Sequence, residues 1–511
     1  MHSPHPGPAD LSPGQRRLIT LSIMLATVMQ ALDTTIANVA LPHIQGSLSA
    51  AADQITWVLT SYIVAAAIAT PLTGWLAGRY GRKKVFLISV AGFTVASALC
   101  GMAGSLGQIV LFRLLQGLCG AALVPLSQAG LLDINPPEKH GSAMAVWGAG
   151  IMVGPILGPA LGGWLTDNYN WRWVFYINLP VGILAFLGIA AFIHEHRREE
   201  ALAFDFFGFG TLSLGVGALQ MLLDRGELKG WFGSHEIWIE AILSLLGFYL
   251  FIVHTATSRK ITFLNRTLLK DRNFVTGVIF IFFVGIILYA TLALLPPMLQ
   301  GLFAYPVTTT GLVTAPRGLG TMIAMILVGR MLGKVNIRLI LFGGLSMTAF
   351  SLWQMTRFDL SMGMAPVIIS GLSQGFGLGF VFVPLSTVSF STIAHHLRTD
   401  GTAIFSLMRN IGSSIGISIV EALLTENTQV SHADLVQHLR PDNPLAWSLH
   451  LLSATTGQWA ALNAEITRQA AMVAYLDDFH LMMVIVLVVM PMLLLMKNGK
   501  RPVAAETVPL D

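Results

Sequence analysis

Apolar stretches of membrane-spanning length alternate with short polar connections along almost the whole chain. They lie near residues 18–41, 55–77, 84–103, 108–132, 143–165, 173–193, 205–223, 237–257, 274–299, 309–329, 337–355, 363–393, 402–424 and 479–496. A helix needs about 20 mostly apolar residues to cross a hydrocarbon core. In lipid its backbone groups must be satisfied within the segment. The pattern therefore predicts an all-α polytopic membrane protein with fourteen transmembrane helices. The first stretch follows a polar, Pro-rich leader, "MHSPHPGPADLSPGQRR", and continues past Asp33 without a small-residue cleavage site. It reads as a first span and not as a removed signal peptide.

Composition agrees. Of 511 residues, 54% are apolar and 11% charged, against about 25% charged in an ordinary soluble domain. Mean hydropathy is +0.69. The placement of basic residues orients the spans, because cytoplasmic loops carry the excess of Lys and Arg. With the N-terminus inside, the outer connections hold only Arg172, Arg225, Lys229, Arg357, Arg440 and Arg468. Arg113, Arg317 and Arg409 fall within spans, so 21 of the 30 basic residues lie on the inner side. Both termini are expected there, and the formal charge of +4 reflects topology and not a nucleic-acid patch.

An internal repeat supplies the architecture. "QGLCGAALVPLS" at 116–127 is echoed by "QGFGLGFVFVPLS" at 374–386, and "AGRYGRKK" by "VGRMLGKVNIR" at 328–338. Two six-helix bundles in parallel repeat follow, with two further helices inserted between them. The expected divisions are a tail over 1–17, a bundle over 18–200, the inserted pair over 201–260, a second bundle over 261–496 and a tail over 497–511. The second bundle includes a long outer loop at 425–478.

Several motifs resemble the major facilitator superfamily and, within it, the fourteen-span drug:proton antiporters of the EmrB type. The first span carries "LDTTIANVALP" (Leu32–Pro42), the second loop "GWLAGRYGRKK" (Gly74–Lys84), and the fourth span "RLLQGLCGA" (Arg113–Ala121). The fifth carries "GAGIMVGPILGPALGG" (Gly148–Gly163), similar to the motif that separates exporters from importers, and "NWRWVFYINLP" (Asn170–Pro180) extends the match. The loop motif Gly74, Arg79, Gly81, Arg82 and Lys83 departs from the superfamily pattern at Gly78, where an Asp is usual. Its basic residues then need partners other than that carboxylate. The resemblance implies a proton-coupled exporter of hydrophobic or amphipathic compounds (drugs, uncouplers, fatty acids or lipids) in a bacterial inner membrane. It also implies a periplasmic adaptor and an outer-membrane channel as partners, docked through 425–478; read by itself that segment has helix-like apolar spacing broken by Pro441 and Pro444, and suits a lid or a short helical cap equally.

Individual residues sharpen this. Asp33 lies about 22 Å along a helix that starts at Leu18, at a rise of about 1.5 Å per residue. Arg113 falls at a similar depth on the descending fourth span. A charge there faces a cavity or a partner, so Asp33 is the candidate proton site with Arg113 modulating it; a permanent ion pair is the alternative. Gly150, Gly154, Gly158 and Gly162, with Pro155 beside them, recur on one helix face. That spacing suits either a bendable gate between the bundles or plain close packing. Thr34, Asn38, Gln116, Arg317, Gln374 and Arg409 are the polar cavity candidates, although Arg409 is near enough to a helix end to snorkel. Phe280, Phe282, Phe283, Tyr289, Met298 and Met347 would give the cavity adaptable apolar walls. Cys100 and Cys119 read as small buried hydrophobes. The histidine pairs His194/His196 and His395/His396 read as interfacial, without metal-ligand spacing. No nucleotide loop, metal cluster, cofactor motif or nucleophile–base set appears. An ion gradient is therefore the expected energy source. An importer of a polar solute, or a membrane enzyme or sensor, are the competing functions.

Overall fold

A computed structural model describes residues 12–193, 204–258, 262–438 and 456–496. The first bundle begins with α1 (Pro13–Leu48), capped by Ser12, whose hydroxyl takes the Gln15 amide while the Gln15 side chain returns to the Ser12 N–H. This reciprocal cap satisfies two orphan donors at the helix start. The short α2 (Ala52–Ile55) leads to α3 (Trp57–Ala69) and α4 (Leu72–Tyr80), which meet at an angle of 56°. Pro71 lies at that break. Gly81, with φ of 92°, turns the chain into α5 (Arg82–Met102), a conformation only glycine adopts freely. Then come α6 (Leu106–Gly120), α7 (Leu123–Ile134), α8 (His140–Ile151), α9 (Val153–Asn168), α10 (Trp173–Tyr176) and α11 (Asn178–Phe192).

The inserted helices are α12 (Phe206–Arg225) and α13 (His235–Thr257). The second bundle comprises α14 (Arg266–Lys270), α15 (Arg272–Leu302), α16 (Val307–Met331), α17 (Ile337–Met355), α18 (Met364–Ser391), α19 (Arg398–Gln437) and α20 (Thr456–Val489). Twelve of the described helical segments are long and apolar enough to cross a membrane, and the bent α3–α4 pair makes thirteen. The remaining stretch, 337–355, does form a helix, α17, which packs against α18 and α20. Its 19 residues are long enough to span, but it is less apolar than the other spanning helices.

Helix occupies the described parts of 425–478: α19 continues to Gln437, and α20 is already under way at Thr456. His432 and Asn463 join the two helices at 3.0 Å. Residues 1–11, 439–455, 497–511 and the His194/His196 pair lie outside the described residues, while 13–17, expected in the tail, form the first turn of α1.

The described chain starts and ends on the same face of the protein. There Arg16 donates to the Ile134 carbonyl at 3.1 Å, and Arg272 and Arg338 reach the carbonyls of Leu495 and Met496 at 2.9 and 3.0 Å. This is called the terminal face below. Helix α12 lies against α3 of one bundle and α19 of the other. Ser414 donates to Gln220 at 2.9 Å, Ser418 to the Leu223 carbonyl at 3.0 Å, and Thr60 to Asp224. The inserted helix is thus pinned to both bundles by polar contacts. Its partner α13 turns Ile239, Ile242, Leu245, Tyr249 and Ile252 outward, the apolar face expected against lipid.

Candidate functional site

Asp33 lies in the middle of α1, 1% exposed. Its Oδ2 accepts from Arg113 Nη1 at 2.7 Å. Its Oδ1 accepts from Gln116 Nε2 and from Asn178 Nδ2, both at 2.8 Å. Arg113 also donates to the Gln116 amide oxygen at 2.8 Å and, through Nε, to the Val58 carbonyl at 3.1 Å. Its guanidinium sits 4.3 Å from the centre of the Tyr62 ring, a favourable cation–π distance. Asn178 reaches Ser97 at 2.9 Å, and Ser97 donates to the Phe175 carbonyl at 2.8 Å.

Local sequence explains how these groups converge. Arg113 and Gln116 are three residues apart on α6, so they share a helix face, and that face meets α1. A larger residue at Gly117, next to Gln116, would collide with the Tyr62 carbonyl of α3; α3 and α6 therefore approach closely enough for Arg113 to reach Val58 and Tyr62. The result is a dry ionic cluster spanning α1, α3, α5, α6 and α11. Opposite charges in low dielectric attract strongly, but removing one partner from such a pair costs about 3–5 kcal/mol.

The sequence placed Asp33 and Arg113 at one depth, and the structure brings them into contact. It missed Ser97 and Asn178. Asn178 sits inside the quoted "NWRWVFYINLP" segment, and its only signal was an amide within an apolar run.

The glycine face of α8 and α9 turns toward α1 and not across to the other bundle. Side chains at Gly150, Gly154, Gly158 and Gly162 would meet Met24, Ala31, Thr35 and Ile36 respectively. The helix is interrupted at Met152, between α8 and α9, and Thr35 donates to the Gly154 carbonyl at 3.1 Å. It is the other side of this interrupted span that bears on the second bundle. Gly148 faces Met325, Gly318 faces Ile156, and Trp147 stacks on Phe382 at 5.7 Å.

Between the bundles lies a cavity with mostly apolar walls: Ile151, Met152, Val284, Leu288, Met325 and Phe382. Tyr289, Thr321 and Arg409 supply its polar lining. Arg409 is 8% exposed and its Nε has no partner, so it is not snorkelling to a surface. Of the six polar cavity candidates, only Arg409 lines this cavity. Gln116 belongs to the Asp33 cluster, and Gln374 donates to Thr291 at 3.1 Å. Arg317 is buried, donates to the Leu288 carbonyl at 2.9 Å and keeps Nη1 unpartnered. Thr34 bonds back to Ala31 at 3.0 Å, and Asn38 is exposed. Among the apolar candidates Tyr289 lines the cavity, Phe280 and Met298 are core, and Met347 is exposed. Phe282 and Phe283 pack edge to face at 5.4 Å.

At the terminal face the loop motif finds its partners despite Gly78. Arg82 pairs with Asp133 of α7, and Arg398, from the second bundle, pairs with the same carboxylate at 2.9 Å. Lys83 donates to the Ala190 carbonyl at 2.8 Å, and Arg79 stacks over Trp75 at 5.4 Å. The Asp400 carboxylate fills the space where a side chain at Gly74 would stand. Thr402 donates to the Pro125 carbonyl at 3.1 Å. Asp133 thus bridges the two bundles.

Comparison with known proteins agrees with this architecture. The family model described as Major Facilitator Superfamily matches residues 23–417. The chain is 37% identical to the multidrug export protein EmrB of Haemophilus influenzae, over 85% of each chain. It is 36% identical to the fatty acid resistance protein FarB of Neisseria gonorrhoeae, over 94% of this chain and 96% of that one. Among solved structures, the human organic anion transporter MFSD10 superposes with a TM-score of 0.59 at 14% identity, covering 93% of this chain and all of that one. The proton:xylose symporter XylE does so with a TM-score of 0.59 at 12% identity, covering 93% and 95%. These last two likenesses concern the fold alone.

Proposed function

Because the chain belongs to the major facilitator superfamily, and is therefore a transporter and not an enzyme, we propose that it is a proton-coupled antiporter. Its cargo is hydrophobic or amphipathic organic compounds moving outward. The observation that carries the reading is Asp33, a buried carboxylate bonded at once by Arg113, Gln116 and Asn178.

Protonating Asp33 removes the charge that holds Arg113 and weakens the acceptor shared by α6 and α11. Arg113 would be left with Gln116, the Val58 carbonyl and the Tyr62 ring, so α1 and α6 gain freedom to separate. Movement of α1 passes to α8 and α9 through the glycine contacts, and from there to α16. In the conformation described, Asp33 is sealed and does not line the central cavity. Proton exchange therefore belongs to another conformation, reached when the bundles rock. Inward opening requires the Asp133 bridge to part from Arg398.

The cavity, about 20 Å³ in this conformation, must widen to take cargo; its lining favours an apolar body with an anionic head, because Arg409 is its one basic residue and has an unmet donor. Fatty acids and weakly acidic uncouplers have that chemistry, and the relative FarB is named for fatty acid resistance. Few polar groups line the cavity, which disfavours import of a polar solute. The terminal face is proposed to be cytoplasmic, with the protein spanning an inner membrane. The hairpin of α19 and α20, with Val430, Leu435, Val436 and Trp459 exposed, would then face a periplasmic adaptor and an outer-membrane channel. The sequence divisions into two bundles and an inserted pair carry over to this scheme.

Efflux from everted vesicles against a compound panel, with and without a collapsed proton gradient, tests the proposal. Gradient-dependent uptake lost in Asp33→Asn is expected; full activity in that variant refutes the proton assignment. Arg409→Gln should lower transport of anionic compounds about tenfold, the equivalent of about 1.4 kcal/mol, and spare neutral ones.

A further inference from the structure

The second bundle contains a buried carboxyl that the scheme above does not use. Asp478, on α20, is 1% exposed, and neither of its carboxyl oxygens has a hydrogen-bond partner among the described residues. Asp33, equally buried, has three donors. A bare carboxylate in an apolar site is costly enough that the group takes a proton instead.

Ala471, Tyr475, Asp478 and Met482 recur at helical spacing, so they lie along one face of α20. Ala471 and Tyr475 line a groove that also includes Pro297, Gly301, Thr425 and Thr428. This groove lies at the face opposite the termini, where α15 ends and α20 begins. One turn beyond Asp478, Met482 Sδ lies 3.7 Å from the Thr291 hydroxyl, which donates to the Ile287 carbonyl at 2.7 Å. Thr291 in turn accepts from Gln374, whose amide oxygen has no partner. Asp478 thus stands between an open groove and a polar contact with unmet capacity.

We propose that Asp478 is a second proton-binding carboxyl, loaded from the opposite face through the groove beside Tyr475. A hydronium ion in the groove gives its proton to a carboxylate oxygen of Asp478, forming the neutral acid and releasing water; unloading is the reverse. The ionisable groups around it do not compete for the proton by bonding to it. On its own helix these are Tyr475, Asp477 and His480. At the end of α17 they are Arg357, stacked on Trp353 at 4.4 Å, and Asp359, tied to Ser361. Glu421 of α19 instead neighbours Asp224 and Glu227, and Tyr289 of α15 faces the central cavity. The use of this proton in transport rests on the antiporter reading; its binding does not.

Infrared spectroscopy of the purified full chain in detergent tests the proposal. A carbonyl stretch of a buried, protonated carboxyl should be present at neutral pH, disappear in Asp478→Asn and persist in Asp33→Asn. If Asp478→Asn fails to accumulate, Asp478→Glu should shift the same band and so assign it. A side chain starting at Gly301 meets nothing within 4 Å, so Gly301→Trp can fill the groove; it should slow deuterium exchange of the band at least tenfold. No such band, or a band indifferent to both Asp478 substitutions, overturns the protonated carboxyl. Unchanged exchange in Gly301→Trp overturns the route. A band that behaves as expected in a protein whose efflux ignores the proton gradient overturns only the antiporter reading.

Discussion

The two bundles share a helix plan but differ in what lies at its centre. Gln116 and Gln374 occupy matching places in the repeated segment. In the first bundle Gln116 donates to a carboxylate on α1 and accepts from an arginine on its own helix. In the second, Gln374 donates to a hydroxyl on α15 and its oxygen is unpartnered. Three residues before Gln116 stands Arg113; three before Gln374 stands Gly371. Arg317 of α16 approaches that glycine, with its own Cβ 3.5 Å from where a Gly371 side chain would start. It makes no ion pair among the described residues. Duplication preserved the packing while charge compensation was kept in one half. The first bundle holds a closed set of partners that a single proton disrupts. The second holds separate, under-satisfied polar groups.

Breaking the closed set should have the largest effect. Asp33→Asn leaves Arg113 buried without its counter-charge, a loss of about 3–5 kcal/mol, seen as a lower melting temperature in detergent together with lost efflux. Asp33→Asn combined with Arg113→Gln should recover much of the melting temperature and none of the transport. If the double variant melts no higher than the single one, the charge-compensation argument is wrong.

Next comes the contact of α9 with α1. Gly154→Val forces a side chain into the Ala31 backbone and should cost about 1–3 kcal/mol by overpacking. Gly311→Ala, at a position with open space, is the neutral control in the same thermal assay. Equal melting temperatures for the two variants would contradict the close packing.

Smaller again is the comparison of the matched glutamines. Gln116→Ala deprives both Asp33 and Arg113 of a bond and should cost about 1–3 kcal/mol. Gln374→Ala removes one neutral bond, worth about 1 kcal/mol. A reversal of that order, read from paired melting curves, would show that the second bundle has the stricter polar requirement.

At the terminal face, Asp133→Asn should weaken the bridge to Arg398 and lower the melting temperature less than Asp33→Asn does, since Arg82 and Arg398 are more exposed than Arg113. Faster maleimide labelling of Thr402→Cys would report the loosening. Unchanged labelling would mean that Asp400 and its neighbours hold the bundles together without the bridge.

Sequence alone determined the membrane class, most of the spans, the repeat and the pairing depth of Asp33 and Arg113. Each of these follows from periodicity, length or order along the chain. Asn178, Ser97 and Tyr62 joined the site only through tertiary packing, because their helices are distant in sequence and a lone polar residue in an apolar run does not say whom it meets. The glycine stripe was legible as a close-packing face, but which helix it packs against depended on the rotation of α9. Asp478 was hidden for a related reason. The stretch before it reads as a helical segment outside the membrane, and only the packing of α20 carries that carboxyl into the interior.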